Sequence, residues 1–154
     1  MDKWLLDIEM IKSNRMYMYQ TATAIFMHNN YVHILGNMIF ALFVMYEMEN
    51  SWKWSIPMGL LAGWAANCLA VLTIEGRALG FSGVLTSYVG MIVLLLVSHL
   101  AYFEARTRGA YCWLLVMAVF LTVAAIGFGG SVLVHLYGFV FGIVLAAAFY
   151  PKHP

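Results

Sequence analysis

Charged side chains are scarce in this chain. Only 10% of its 154 residues are Asp, Glu, Lys or Arg, whereas a soluble domain carries about 25%. The net charge is +1 and no basic stripe is present, which argues against a nucleic-acid partner. Its two cysteines, Cys68 and Cys112, lie in apolar runs without metal-site spacing. We interpret them as small apolar residues of membrane helices.

Apolar residues, by contrast, make up 64% of the sequence, more than a soluble protein of this size can bury. A helix that crosses a bilayer needs about 20 mostly apolar residues. Five stretches approach that length, and the sequence therefore predicts an all-α, polytopic membrane helix bundle of about five transmembrane helices. The five stretches run approximately over residues 32–48, 54–74, 81–103, 110–126 and 131–150.

The first 20 residues have a different pattern. Trp4, Leu5, Ile8 and Ile11 recur at helical spacing, and other positions hold the charged residues Asp2, Lys3, Asp7, Glu9 and Lys12. This pattern predicts an amphipathic helix that lies in the headgroup region of the bilayer, with a solvated, partly ordered tail as the alternative. The expected organisation is an interfacial segment over 1–20, a transmembrane domain over 21–150 and a short tail over 151–154.

Polar residues inside membrane spans are costly, so each is a candidate functional residue. The main candidates are His28, His33, Asn37, Ser82 and His135, with Asn67 and His99 as weaker ones. Because spans alternate in direction, the first, third and fifth runs enter the membrane from the same side. At a rise of 1.5 Å per residue, Ser82 and His135 are then both expected within about 10 Å of that surface.

A serine and a histidine at matching depth suggest a nucleophile and its general base. Hydrolysis of a peptide bond also requires donors for the developing oxyanion. His33 and Asn37, which share a helix face, and the backbone N–H of Ser82 are suitable donors. Gly80 and Gly83 would allow the chain or a substrate to approach the serine closely.

Three separated motifs give the chain a resemblance to rhomboid intramembrane proteases. Residues 28–37, HNNYVHILGN, resemble the H-x4-H-x3-N helix of that family. Residues 80–83, GFSG, resemble its G-x-S-G nucleophile motif, and residues 135–142, HLYGFVFG, resemble its H-x2-G-x3-G motif. Each motif is weak alone, but all three occur in order and on the appropriate spans.

The resemblance implies a serine endopeptidase with a Ser82–His135 dyad, with His33 and Asn37 in the oxyanion hole. It also implies that His28 holds the neighbouring loop, and that Gly83, Gly138 and Gly142 allow two helices to pack closely. The implied substrates are transmembrane segments of other proteins in the lipid bilayer, cut at a site open to the non-cytosolic side. No cofactor and no metal are implied.

The sequence departs from the family pattern at three points. Family members usually have six spans, and the first of these is expected to be missing here. Tyr19 and Gln20 stand where a Trp-Arg pair is common, and Thr86 stands where an aromatic residue often stacks on the base.

Two alternatives to the protease remain. One is a catalytically inactive rhomboid-like protein that binds transmembrane helices; it is usually marked by loss of the serine or the histidine, and both are present here. The other is a metal or haem protein that uses His28, His33 and His135. That scheme gives Ser82 no role and places no carboxylate as a partner of the histidines.

Overall fold

Five long helices form the body of the molecule. The structure is a computed structural model, and it describes residues 6–28, 30–75, 77–78, 80–99, 104–127 and 132–150. The long helices coincide with the five predicted apolar runs, which confirms an all-α helix bundle. They are α3 (Tyr31–Ser51), α4 (Ser55–Thr73), α5 (Ser82–His99), α6 (Ala105–Gly127) and α7 (Val132–Phe149).

Length and apolar composition make three of these helices, α3, α4 and α7, long enough to cross a membrane within the described ranges. Ser82–Ser98 forms a shorter apolar helix. The helix α6 begins at Ala105, several residues before the apolar run itself, and therefore includes Arg106 and Arg108 in its first turn. The apolar runs thus predict where each helix lies. They do not predict a helix end that is formed by charged residues.

The contact between α5 and α7 shows that these two helices run in the same direction. Gly138 lies against the main-chain oxygen of Gly83, and Gly142 lies against that of Ser87. The paired positions advance together along both helices, so the N-termini of α5 and α7 lie at the same end of the bundle.

The helix α3 runs parallel to α5 and α7. Near its N-terminus His33 lies beside Gly80, which precedes α5. At the other end of the bundle, the ring of Trp52, just after α3, lies 5.7 Å from the ring of Tyr150, just after α7. The alternation of spans inferred from the sequence predicts this common direction.

Antiparallel packing joins α4 to α5. Gly63 lies against Val84, and Gly59 lies against the ring of Tyr88. The hydroxyl of Ser87 also donates to the Gly59 oxygen at 3.2 Å. The side chains of α5 fill the centre of the bundle: Val84, Tyr88, Met91, Ile92 and Leu95 are fully buried.

A folded N-terminal segment, residues 6–26, packs on one end of the bundle. It contains β1 (Leu6–Asp7), α1 (Ile8–Ser13), a 3-10 helix over Arg15–Tyr19, α2 (Gln20–Thr23) and a second 3-10 turn over Ala24–Phe26. β1 pairs antiparallel with β2 (Arg77–Ala78), so that Leu6 faces Ala78 and Asp7 faces Arg77.

Two residues of the apolar face predicted for this segment, Ile8 and Ile11, pack on the bundle, and Leu6 joins them. Leu6, Ile8 and Ile11 are buried in one cluster with residues of α4 and with Val134 of α7. The predicted Trp4 and Leu5, and the tail 151–154, lie outside the described residues. A location of residues 1–20 in the headgroup region stays a prediction.

Candidate active site at the start of α5

Ser82 is the first residue of α5 and is half-buried. The turn that leads to it depends on Gly80, whose φ of +109° lies in the left-handed region that favours glycine. The Gly80 N–H donates to the main-chain oxygen of Ala24 at 2.9 Å. This hydrogen bond connects the turn before the serine to the N-terminal segment.

Two α3 side chains lie directly behind that turn. A methyl group built on Gly80 would lie 2.9 Å from Cε1 of His33 and 3.8 Å from Nδ2 of Asn37. The His33–Asn37 spacing therefore puts both side chains on the helix face that meets the loop before α5, as the sequence predicts. Among the described residues, Nδ2 of Asn37 is buried and has no hydrogen-bond partner. That N–H is available to donate to a ligand oxygen.

His28 lies beside His33, with their ring centroids 5.2 Å apart and the rings nearly perpendicular. Its Nδ1 is 3.2 Å from the main-chain oxygen of Phe26. Because a carbonyl only accepts, Nδ1 carries the proton and donates. Burial lowers the pKa of His28, and the hydrogen bond to Phe26 opposes this only in part. The folded protein therefore favours the neutral ring of His28, which contacts both the Phe26 oxygen and the His33 ring.

His135 lies in the first turns of α7 and is only 7% exposed. Its neighbour Val134 is close to Gly83, the residue after Ser82: a methyl group on Gly83 would lie 3.3 Å from Cγ1 of Val134. Gly138, one turn further along, lies against the Gly83 oxygen. Ser82 and His135 thus each adjoin a residue of the contact between Gly83 and Val134.

Thr86 also faces α7. Its Oγ1 donates to the Gly83 oxygen at 3.0 Å, and a methyl group on Gly138 would lie 2.6 Å from that Oγ1. The side chain therefore lies one helical turn beyond His135 on the α7 surface. The resemblance had marked this position as one where an aromatic ring is common, and the glycine opposite leaves Thr86 in close contact with the α7 backbone.

An open recess of about 270 Å³ adjoins these residues. It is lined by His28 and Asn37 together with apolar side chains, among them Phe26 and Phe81. Phe81 precedes Ser82 in the chain, but Ser82, His33 and His135 are not among the residues that line the recess. We call it the Phe26–Phe81 recess after two of its lining residues. It is mostly apolar with few polar groups, as ligand sites commonly are.

Different kinds of polar group are gathered at this end of the bundle. Within the part of the chain that the structure describes, no three His, Cys, Asp or Glu side chains are grouped as ligands of one ion. A hydroxyl, an imidazole and an amide donor are instead carried by three parallel helices at one end of the bundle.

Asn67 is a functional candidate that sequence reasoning left without a role. It lies on α4 and is 6% exposed, and its Nδ2 donates to the main-chain oxygen of Thr21 at 2.8 Å. The signal was present, since an amide in the middle of an apolar run must find a buried partner. The partner is a backbone atom of a distant segment, and no side-chain pattern points to it.

A search against protein-family models matches residues 15–152 to the rhomboid domain. The chain belongs to the rhomboid family. Together with its apolar helices, this makes it a membrane protein with an all-α bundle. Searches of the curated proteins and of the solved structures found no match. The match covers all the helices of the rhomboid bundle described above and every candidate site residue.

Proposed function

We propose that this rhomboid protein is an intramembrane serine endopeptidase that cuts transmembrane segments of other membrane proteins. The observation that carries the proposal is the position of Gly80, which lies against His33 and near Asn37 and is two residues before Ser82. This end of α5 packs beside the turn of α7 that contains His135. Groups suited to a nucleophile, a general base and oxyanion donors come from sequence-distant helices and share one end of the bundle.

In the proposed reaction, Oγ of Ser82 attacks the carbonyl carbon of the scissile peptide bond. His135 takes the hydroxyl proton and then delivers it to the leaving amine, which leaves an acyl-enzyme. Water, activated by the same histidine, hydrolyses the ester and regenerates the serine. The site is proposed to open to the non-cytosolic side, from which this water enters.

The oxyanion of each tetrahedral intermediate would be stabilised by donors from two helices. The first backbone N–H groups of a helix have no partner within it, and Ser82 is the first residue of α5. Asn37 offers a buried N–H without a competing protein acceptor among the described residues. His33 adds a ring donor on the same α3 face. Donors fixed in advance need little reorganisation when negative charge develops on the oxygen.

The substrate must present an extended peptide bond to Ser82, because a helical backbone keeps its carbonyls in hydrogen bonds. A transmembrane segment would therefore unwind locally near the membrane surface before cleavage. The Phe26–Phe81 recess, which Asn37 also lines, offers apolar walls to a side chain of such a segment.

A catalytically inactive protein that binds transmembrane helices is the second candidate. The observation that favours it is the position of Thr86, which lies against Gly138. An aromatic ring in place of Thr86 would be available to stack on His135. Without that ring the imidazole has one packing surface fewer, and a loosely held base would be a poor one.

Reconstitution in liposomes distinguishes the two candidates. Purified wild-type chain and Ser82→Ala are each incubated with a reporter protein that contains one transmembrane segment, and cleavage is followed by gel. Cleavage by the wild type alone supports the protease. Cleavage by both proteins at the same rate excludes Ser82 as the nucleophile. Reporter that co-purifies with the wild type but stays intact favours the inactive binder.

A further inference from the structure

We propose that Asn67 is a positioning residue for Ser82, acting through the N-terminal segment. This proposal rests on the role of Ser82 proposed above. The buried amide of Asn67 fixes the segment on α4, and the segment in turn holds Gly80 in the turn before the serine. Asn67 itself touches neither Gly80 nor Ser82 in any hydrogen bond described.

The first link is the attachment of Thr21 to α4. Nδ2 of Asn67 donates to the Thr21 main-chain oxygen at 2.8 Å, and Nε1 of Trp64 donates to the Thr21 hydroxyl at 2.9 Å. Asn67 and Thr21 are 6% and 2% exposed, so water cannot replace the bond between them. A buried carbonyl that loses its donor costs more than an exposed one.

The second link is the short rigid stretch from Thr21 to Ala24. α2 continues directly into the 3-10 turn that begins at Ala24, so one helical turn separates the two residues. The main-chain oxygen of Ala24 then accepts the Gly80 N–H at 2.9 Å. A displacement of Thr21 is therefore transmitted to Gly80 through regular backbone.

A second attachment lies at the start of the N-terminal segment. The Asp7 N–H donates to Oε1 of the fully buried Gln20 at 3.1 Å. Asp7 also faces Arg77 in the pairing of β1 with β2. The N-terminal segment thus contacts the chain before Ser82 at Arg77–Ala78 and again at Gly80, and Asn67 fixes the middle of that segment.

Gly80 is the point at which a small shift would affect the chemistry. It lies against His33 and near Asn37, and it is two residues before the serine. A change in the position of Gly80 alters the distance between the serine and the oxyanion donors. Misplacement of reacting groups by about 1 Å can cost about 100-fold in rate.

The test compares Asn67→Leu with Tyr88→Phe in the full chain. Each variant removes one hydrogen bond between a side chain and a backbone oxygen, and α4 supplies one of the two partners in each bond. The Tyr88 hydroxyl donates to the Ile56 oxygen of α4 at 3.3 Å. Of these two bonds, only that of Asn67 holds the N-terminal segment, which contacts Gly80. Asn67→Leu should speed hydrogen exchange of the Gly80 amide roughly 5- to 10-fold. It should also lower kcat about 10-fold or more while KM stays within about 2-fold.

Tyr88→Phe should leave the exchange of the Gly80 amide and kcat as in the wild type, whatever it does to the unfolding temperature. If folded Asn67→Leu keeps wild-type exchange at Gly80, or keeps wild-type kcat, the proposal is overturned. A purely structural role would lower the unfolding temperature of both variants without a selective change at Gly80.

A second variant tests the link from α4 to Gly80 if Asn67→Leu does not fold. Trp64→Phe removes the other donor to Thr21 from a side chain that is 45% exposed, so the fold should tolerate it. We expect the same two changes, each roughly 2- to 5-fold. Unchanged Gly80 exchange in Trp64→Phe would then overturn the proposal. If the wild type shows no proteolysis, the proposed function fails, and the exchange measurement alone still tests the link from α4 to Gly80.

Discussion

Gly138 of α7 lies directly against the main-chain oxygen of Gly83 in α5, and a methyl group at Gly138 would overlap with that oxygen. The same methyl group would lie 2.6 Å from Oγ1 of Thr86. Backbone cannot yield as a flexible side chain can. The separation of α5 and α7 next to Ser82 and His135 therefore depends on the lack of a side chain at Gly138, as it does further along at Gly90 and Gly142.

Gly138→Ala should push α7 away from α5 and destabilise the protein by about 1–3 kcal/mol, the usual cost of overpacking. Proteolysis should fall by more than the loss of folded protein explains, because the serine and histidine helices separate. Thermal unfolding in detergent and cleavage of the reporter measure the two effects.

Gly36→Ala is the matched control for that substitution. Gly36 is also a helical glycine, but nothing lies within 4 Å of a methyl group built on it. Helix propensity alone then favours alanine by roughly 0.5–1 kcal/mol. Equal destabilisation by the two substitutions would contradict the close approach of α5 and α7.

Asn37→Ala tests the oxyanion donor. Removal of one donor from an oxyanion hole typically lowers kcat about 100- to 1,000-fold. Because other donors remain in the proposed hole, we expect kcat of Asn37→Ala to fall roughly 10-fold at least. The unfolding temperature should change little, because Nδ2 of Asn37 has no hydrogen-bond partner among the described residues. A wild-type kcat in this variant would remove Asn37 from the hole and leave the roles of Ser82 and His135 unaffected.

The helices of this fold could be predicted because lipid imposes one simple requirement, a long apolar run, on each of them. The parallel direction of α3, α5 and α7 follows from the alternation of spans. His33, Asn37, Ser82 and His135 were predicted to share one end of the bundle for the same reason. In the structure His33 and Asn37 lie near Gly80, which is two residues before Ser82.

Contacts between distant backbone atoms could not be predicted in the same way. The pairing of Leu6–Asp7 with Arg77–Ala78 involves two residues on each side, too few for any periodic pattern. The acceptors of the Asn67 amide and the Gly80 N–H are main-chain oxygens, which every residue has. Sequence therefore points to candidate site residues more readily than to the backbone contacts around them.

Acidification should lower the stability that His28 contributes to the fold. Burial lowers the pKa of His28 from its ordinary value of 6.5, so the folded protein favours the neutral ring. The stability that this ring contributes is fully present above pH 6.5 and is lost as the pH falls through the lower folded pKa. The unfolding temperature measured between about pH 8 and about pH 5 should drop more steeply for the wild type than for His28→Asn. Parallel curves would show that another group controls the effect.

Ile11→Ala tests whether the N-terminal segment belongs to the folded body of the protein. Ile11 is 2% exposed and is buried with Ala70, Val71 and Val134, so its truncation should leave a cavity between the segment and the helices α4 and α7. We expect a loss of about 2–5 kcal/mol in the free energy of unfolding, measured by denaturation in detergent. Met16→Ala, at a position that is 82% exposed on the same segment, should change it by less than about 0.5 kcal/mol. If the two substitutions behaved alike, the segment would be a loosely attached tail, and the support that it gives to Gly80 would have no structural basis.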